Sequence, residues 1–317
     1  IRRPDGLVGK PAGAGTNVFA MDTGNGSSTI PTFDSGFIVD YTFVRPINIT
    51  TNWGTYSRLT GKKFLRLNTT DAQGSYDGGK WDSNVGFGAE SYWGSTSVAW
   101  MWKRHAGFDV VTYKGDSEFK RDIPHRLSKI PEMIIVKRRD TSDPWTVYHK
   151  GLDGGTSPQE KYLILNDTDA EADSVNRWSD TAPTSVAFTI GNSGAVNGDG
   201  SEYLSMLFAS VDGISKVGSY TGNAGTGQSI SLGFTPRMLI TKNIDSTQGN
   251  WTDGWYIWDT TRGWSFSSDN YLQLNDSNYQ QDGYDWALPT STGFDLNSSS
   301  SNYANKNGDT YIYYAHA

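Results

Sequence analysis

The sequence predicts an all-β protein built from tandem antiparallel β-sandwich or jelly-roll-like modules in three divergent copies. Three observations lead there. Charged residues make up only 19% of the 317, and much of the remaining polarity is Ser, Thr, Asn and 36 Gly, which suits short strands and turns better than amphipathic helices. Short segments alternate with the two-residue period of a strand: Trp145, Val147 and His149 against Thr146 and Tyr148, and Tyr162 and Ile164 against Leu163 and Leu165. The chain also repeats itself at a spacing of roughly 100 residues, which implies whole modules rather than a solenoid.

The repeat is collinear. Phe108-Asp109-Val110-Val111-Thr112-Tyr113-Lys114-Gly115 matches the stretch from Ile214 to Asn223, and Pro131-Glu132-Met133-Ile134-Ile135-Val136-Lys137 matches Pro236-Arg237-Met238-Leu239-Ile240-Thr241-Lys242. Trp145-Thr146-Val147-Tyr148-His149 pairs with Trp255-Tyr256-Ile257-Trp258-Asp259, and Tyr162-Leu163-Ile164-Leu165-Asn166 with Tyr271-Leu272-Gln273-Leu274-Asn275. Each copy then closes with Pro-Thr-Ser (Pro183, Pro289) and a last apolar strand holding Tyr203 or Tyr311. A weaker N-terminal copy keeps Met21-Asp22-Thr23-Gly24-Asn25, Phe64-Leu65-Arg66-Leu67-Asn68 and the run from Val98 to Lys103. The expected units are residues 1–106, 107–213 and 214–317, each holding about eight short strands joined by turns such as Gly151 to Gly155 and Asn197 to Gly200.

With these motifs the sequence resembles a module of unknown biochemical role that recurs in virion and tail-associated proteins of marine bacteriophages, cyanophages included. Residues 107–209 carry the resemblance most fully. It implies a virion protein of the tail or capsid surface, without catalysis, that contacts a receptor. The partners it implies are neighbouring virion proteins, copies of itself and a host-surface glycan or receptor. The step from fold to function is an analogy.

Composition narrows the other classes. A net charge of −7 with no basic block disfavours a nucleic-acid partner and an anionic membrane surface. Uniformly apolar runs such as Met133 to Val136 fall far short of the roughly 20 residues that cross a bilayer. Cysteine is absent, which excludes a disulfide framework, thiolate ligation and a Cys nucleophile. Ile1 is not a start methionine and no signal-like segment follows it, so the sequence reads as a fragment or a processed product.

Specific chemistry is weakly marked. His105, His125, His149 and His316 lack metal-ligand spacing, and neither a metal nor a cofactor is expected. Asp167, Asp169 and Asp276 resemble calcium-loop residues, with turn capping the simpler account. The Gly-rich stretch from Gly9 to Thr16 lacks the order of a phosphate loop. Glutamates are few and no local motif marks the carboxylate pair of a glycosidase, leaving a glycan depolymerase as the enzymatic alternative. Seven Asn-x-Ser/Thr sequons arise easily by chance in a chain of this composition.

Aromatic residues are where binding is expected. Trp145 and Trp255 recur at matched positions and are expected in the core, together with Leu163, Leu165, Leu272 and Leu274. Trp251, Trp258, Trp264, Tyr279, Tyr284 and Trp286 crowd the last copy without evident counterparts. Five extra residues before Trp255 add to the asymmetry. Exposed flat rings stack on sugars or seal protein interfaces, so these six are the ligand-binding candidates. The expected function is a structural or attachment element of a virion, with a monomeric carbohydrate-binding module as the alternative.

Overall fold

The computed structural model describes residues 14–225, 227–245, 253–265, 269–282, 286–297 and 303–317. Its described elements are almost entirely antiparallel strands, as the composition and the alternation require. The first module contains β1 (Phe19–Thr23), β2 (Phe33–Asp34), β3 (Tyr41–Pro46), β4 (Gly54–Ser57), β5 (Lys63–Arg66), β6 (Gly74–Ser75), β7 (Gly86–Phe87) and β8 (Ser97–Trp102). The second contains β9 (Phe108–Lys114), β10 (Arg121–Pro124), β11 (Met133–Arg138), β12 (Trp145–His149), β13 (Lys161–Ile164), β14 (Ala172–Asp173), β15 (Ala187–Ile190) and β16 (Glu202–Phe208). The third contains β17 (Ser215–Thr221), β18 (Gln228–Ser231), β19 (Met238–Asn243), β20 (Tyr256–Asp259), β21 (Tyr271–Gln273), β22 (Ala287–Pro289), β23 (Gly293–Leu296) and β24 (Thr310–His316).

The three large sheets have one topology. Their orders are β1-β8-β3-β4-β5-β6, β9-β16-β11-β12-β13-β14 and β17-β24-β19-β20-β21. Register agrees residue by residue: Phe43 faces Trp100, Ile135 faces Met206 and Ile240 faces Tyr314. A small outer sheet accompanies each large one, β2-β7, β10-β15 and β18-β23-β22. Each module is thus a two-layer sandwich, and alternation along its large-sheet strands sends one set of side chains outward to the small sheet and the other inward.

The inward sets meet. Trp53, Trp100 and Trp102 of the first module, Trp145, Met206 and Phe208 of the second, and Trp255, Ile240 and Tyr314 of the third belong to a single buried cluster. Three separate outer clusters lie between the layers of the individual modules. Leu163, Leu165, Leu272 and Leu274 are buried in the central cluster, on the phase that alternation assigned them.

A repeated bond closes the three modules into a ring. The Trp53 indole Nε1 donates to the Gln273 carbonyl at 2.8 Å, Trp145 Nε1 to Arg66 at 2.9 Å and Trp255 Nε1 to Ile164 at 3.0 Å. Each acceptor is the variable residue of a Leu-x-Leu-Asn strand in a neighbouring module. The Asn of that motif acts within its own module. Asn68, Asn166 and Asn275 accept through Oδ1 from the backbone N of Trp53, Trp145 and Trp255, fixing each Trp in place.

A buried cation tightens each seam. Arg45, Lys137 and Lys242 occupy matched inward positions and are all fully buried. Lys137 Nζ donates to the carbonyls of Thr70 (3.0 Å) and Asp143 (2.7 Å), and Lys242 Nζ to those of Thr168 (3.0 Å) and Asn243 (2.6 Å). The Arg45 guanidinium donates to the carbonyls of Asp276 (3.3 Å) and Asn278 and lies 5.0 Å over the Trp53 ring. Burial pushes both lysines down to about 8 and Arg45 down to about 10. Charge without counter-charge is costly to bury, so these carbonyl contacts strongly favour one relative placement of the modules.

Candidate aromatic cleft of the first module

The outer faces of the large sheets diverge where the inner faces agree. On the first module Val44, Pro46, Gly54, Tyr56, Phe64 and Arg66 point outward from β3, β4 and β5. With Tyr76, Tyr92, Trp93, Thr51 and Asn52 they line a solvent-open cleft of about 260 Å³. That volume lies a little below the usual range for drug-sized ligands.

Its walls are held by packing and hydrogen bonds. Tyr56 packs against Phe87 at 5.3 Å and Trp93 at 5.8 Å, and Tyr76 lies 5.7 Å from Trp93. The Tyr76 hydroxyl donates to Glu90 Oε2 at 2.6 Å, holding the Glu90 carboxyl below its ordinary range, while burial raises the Tyr76 phenol. Asn68 Nδ2 donates to Asn52 Oδ1 at 2.8 Å, and Arg66 pairs with Asp71 at 2.9 Å. Tyr92 remains 63% exposed. The result is a set of rigid aromatic faces beside a side-chain amide, a hydroxyl and a guanidinium.

The cleft exists because of a glycine. Gly54 faces Arg66 in the β4–β5 ladder, and the same register position holds Thr146 opposite Ile164 and Tyr256 opposite Gln273. In the second module Arg177 donates to Thr146 Oγ1 at 3.3 Å and lies 4.7 Å over the Tyr162 ring, occupying this place. In the third, Tyr256 fills it, 5.5 Å from Trp258, 5.5 Å from Trp286 and 5.3 Å from Tyr271, and Trp286 stacks on Tyr303 at 4.1 Å. With only hydrogen at Gly54, the Tyr56 ring can lie over it, 3.1 Å from where a Cβ would stand, and the space beyond these two residues stays open as the cleft.

The residues singled out in the third module fall into three groups. Trp258, Trp264 and Trp286 are buried, which corrects the expectation that these rings are exposed. Trp258 and Trp286 help fill the third module's version of the cleft, and Trp264 donates through Nε1 to the Ala287 carbonyl at 2.6 Å. Tyr279 is 53% exposed. Trp251 and Tyr284 lie outside the described residues.

The histidines and acidic loops have structural work. His149 is fully buried: Gly151 N donates to Nδ1 at 3.0 Å, so the proton sits on Nε2, 3.2 Å from the Tyr313 carbonyl. Asp167 and Asp276 cap their own turns through the backbone N of Thr168 and Asn278. Among the described residues no group of three or more His, Asp or Glu side chains is placed to hold a metal ion. No described helix is long and apolar enough to cross a membrane.

Fold and site together define an all-β protein of three interlocked sandwich modules with an open aromatic cleft on the first. A family model described as a domain of unknown function (DUF7483) matches residues 21–317, and the chain belongs to that family. No curated protein and no solved structure matches it.

Proposed function

We propose that this chain is a non-catalytic attachment element of a bacteriophage particle that binds a surface glycan through the cleft of its first module. The observation that carries the binding part is the vacancy at Gly54, at a position that the two other modules fill with Thr146 and Arg177 or with Tyr256. Aromatic faces beside amide and guanidinium groups suit a sugar, whose C–H face stacks on a ring while its hydroxyls hydrogen-bond. None of the described residues lining the cleft is a carboxylate or an imidazole, and Glu90 and Asp71 beside it are held by Tyr76 and Arg66, which favours binding over glycoside hydrolysis. The virion setting comes from the resemblance of the repeat to phage tail-associated modules, with neighbouring virion proteins or further copies of the chain as its structural partners.

The test is a glycan array of bacterial surface oligosaccharides probed with the protein and its Gly54→Tyr variant. The proposal expects the wild type to bind a related set of glycans and the variant to lose them while keeping its melting temperature within a few degrees. Loss of binding on Tyr92→Ala would place the ligand in the same cleft. A wild type that binds no glycan, or a Gly54→Tyr variant that binds as well as wild type, contradicts the reading.

A further inference from the structure

We infer that the ligand is a glycan chain rather than a single sugar, and that it runs from the cleft over the seam between the first and third modules onto Tyr279 and Ile49. This rests on reading the cleft as a glycan site and extends it to a second contact.

The lip of the cleft is continuous with that seam. Thr51, which lines the cleft, donates its backbone N to the Ser277 carbonyl at 2.9 Å, and Gln280 N donates to the Ile47 carbonyl at 2.8 Å. The two loops therefore run side by side, one from each module. Within the stretch that these bonds bracket stand Ile49, 41% exposed, and Tyr279, 53% exposed.

The loop that carries Tyr279 is fixed from beneath. Arg45 is fully buried and donates to the carbonyls of Asp276 and Asn278, the residues on either side of Ser277. Asp276 caps the same turn through Asn278 N at 3.0 Å. A ring presented on so constrained a loop loses little further conformational freedom when a ligand covers it, which preserves binding energy.

The described residues of the other two seams show no such surface. Where the first and second modules meet, Ser142 Oγ donates to Thr70 Oγ1 at 2.9 Å, and where the second and third meet, Glu171 N donates to the Ile244 carbonyl at 3.0 Å. Among the described residues, exposed large apolar side chains stand at the first-to-third seam and not on those two contacts. That is also the seam beside the open cleft. A flat chain of sugar rings matches a line of separated aromatic faces with polar groups between them, because each ring offers one face for stacking and edges for hydrogen bonds.

The experiment takes the best-bound glycan of the array as a ladder from the monosaccharide upward and measures affinity for the whole chain by calorimetry. Affinity should rise about tenfold or more with length and then level off. Tyr279→Ala should lower affinity for the longer members by about 3- to 10-fold, the range of one aromatic contact, and leave the shortest bound member unchanged. Tyr279→Phe should restore the longer members. Affinity independent of length, or a Tyr279→Ala variant that binds long members as wild type does, overturns the chain proposal while leaving the cleft reading intact. A wild type that binds no glycan overturns both.

Discussion

The first and third modules share their inner faces and part company on their outer ones. Inward, Trp53 and Trp255 make the same bond to a neighbouring module, and Asn68 and Asn275 hold them in the same way. Outward, Gly54 leaves a cleft where Tyr256 packs against Trp258, Trp286 and Tyr271. The difference shows where the fold is constrained. Inward positions answer to three modules at once, because their side chains fill one common cluster. An outward position answers only to its own module, so a single residue there opens or fills a site at little cost to the rest.

The largest expected effects fall on the shared face. Trp53→Ala should cost about 3–5 kcal/mol, since it empties a large buried volume, and more if the Gln273 carbonyl is left without a donor. Because the cluster is common, the loss should lower one cooperative melting transition of the whole chain in calorimetry. A separate melt of the first module, with the others unaffected, would break the idea of a shared core.

Next comes the reverse substitution on the outer face. Tyr256→Gly should open in the third module the space that is open in the first, at a cost in the range of about 3–5 kcal/mol for a buried aromatic. Its effect should stay local, and binding at the first module should be unchanged. If glycan affinity fell as well, the outer faces would be coupled and the contrast between the two faces would not hold.

A smaller effect separates His149 from its counterpart Asp259. Burial, outweighing the bond to Tyr313, pulls His149 down to about 3, whereas in the unfolded chain it titrates near 6.5. The unfolded state therefore binds the extra proton between these values, and the stability from a neutral His149 is lost as pH falls through that window. The slope is at most about 1.4 kcal/mol per pH unit. Melting curves of wild type and His149→Gln should converge as pH drops from 7 to 4, and parallel curves would show that folding leaves the titration of His149 unchanged and contradict this reading.

A modest stability change is expected at the site itself. Gly54→Tyr places a Cβ about 3.1 Å from the Tyr56 ring and hydroxyl, so that buried side chain must give way. Displacing Tyr56, which is packed against Phe87 and Trp93, should cost roughly 1–3 kcal/mol, while glycan binding is lost. A large drop in melting temperature would mean that the cleft cannot accept the third module's solution.

How much of this could be read from the residues depended on whether a position carries a side chain that repeats. Trp145 and Trp255 stand in matched strands with the same spacing to their Asn, within one residue, so their burial was legible. Trp53 was not, because the β4–β5 turn of the first module is short: Trp53 precedes Asn68 by 15 residues, against 21 and 20 in the other copies. Trp258 has no tryptophan counterpart, and the residues that share its register are Tyr56 and Tyr148, aromatic but not identical. The cleft itself is made by an absence at Gly54 and by Tyr76, Tyr92 and Trp93 from segments outside the repeated motifs, and no motif can mark that combination.

The central claim, that the first module's cleft is the binding site while the third module's version is filled, is tested most directly by fluorine NMR of protein labelled with 5-fluorotryptophan. The signals, assigned by single Trp→Phe variants, are followed as the best-bound glycan is titrated in. The account predicts that Trp93 shifts with saturation while Trp258, Trp264 and Trp286 hold their positions. Shifts confined to the third module's tryptophans, with Trp93 unmoved, would contradict it.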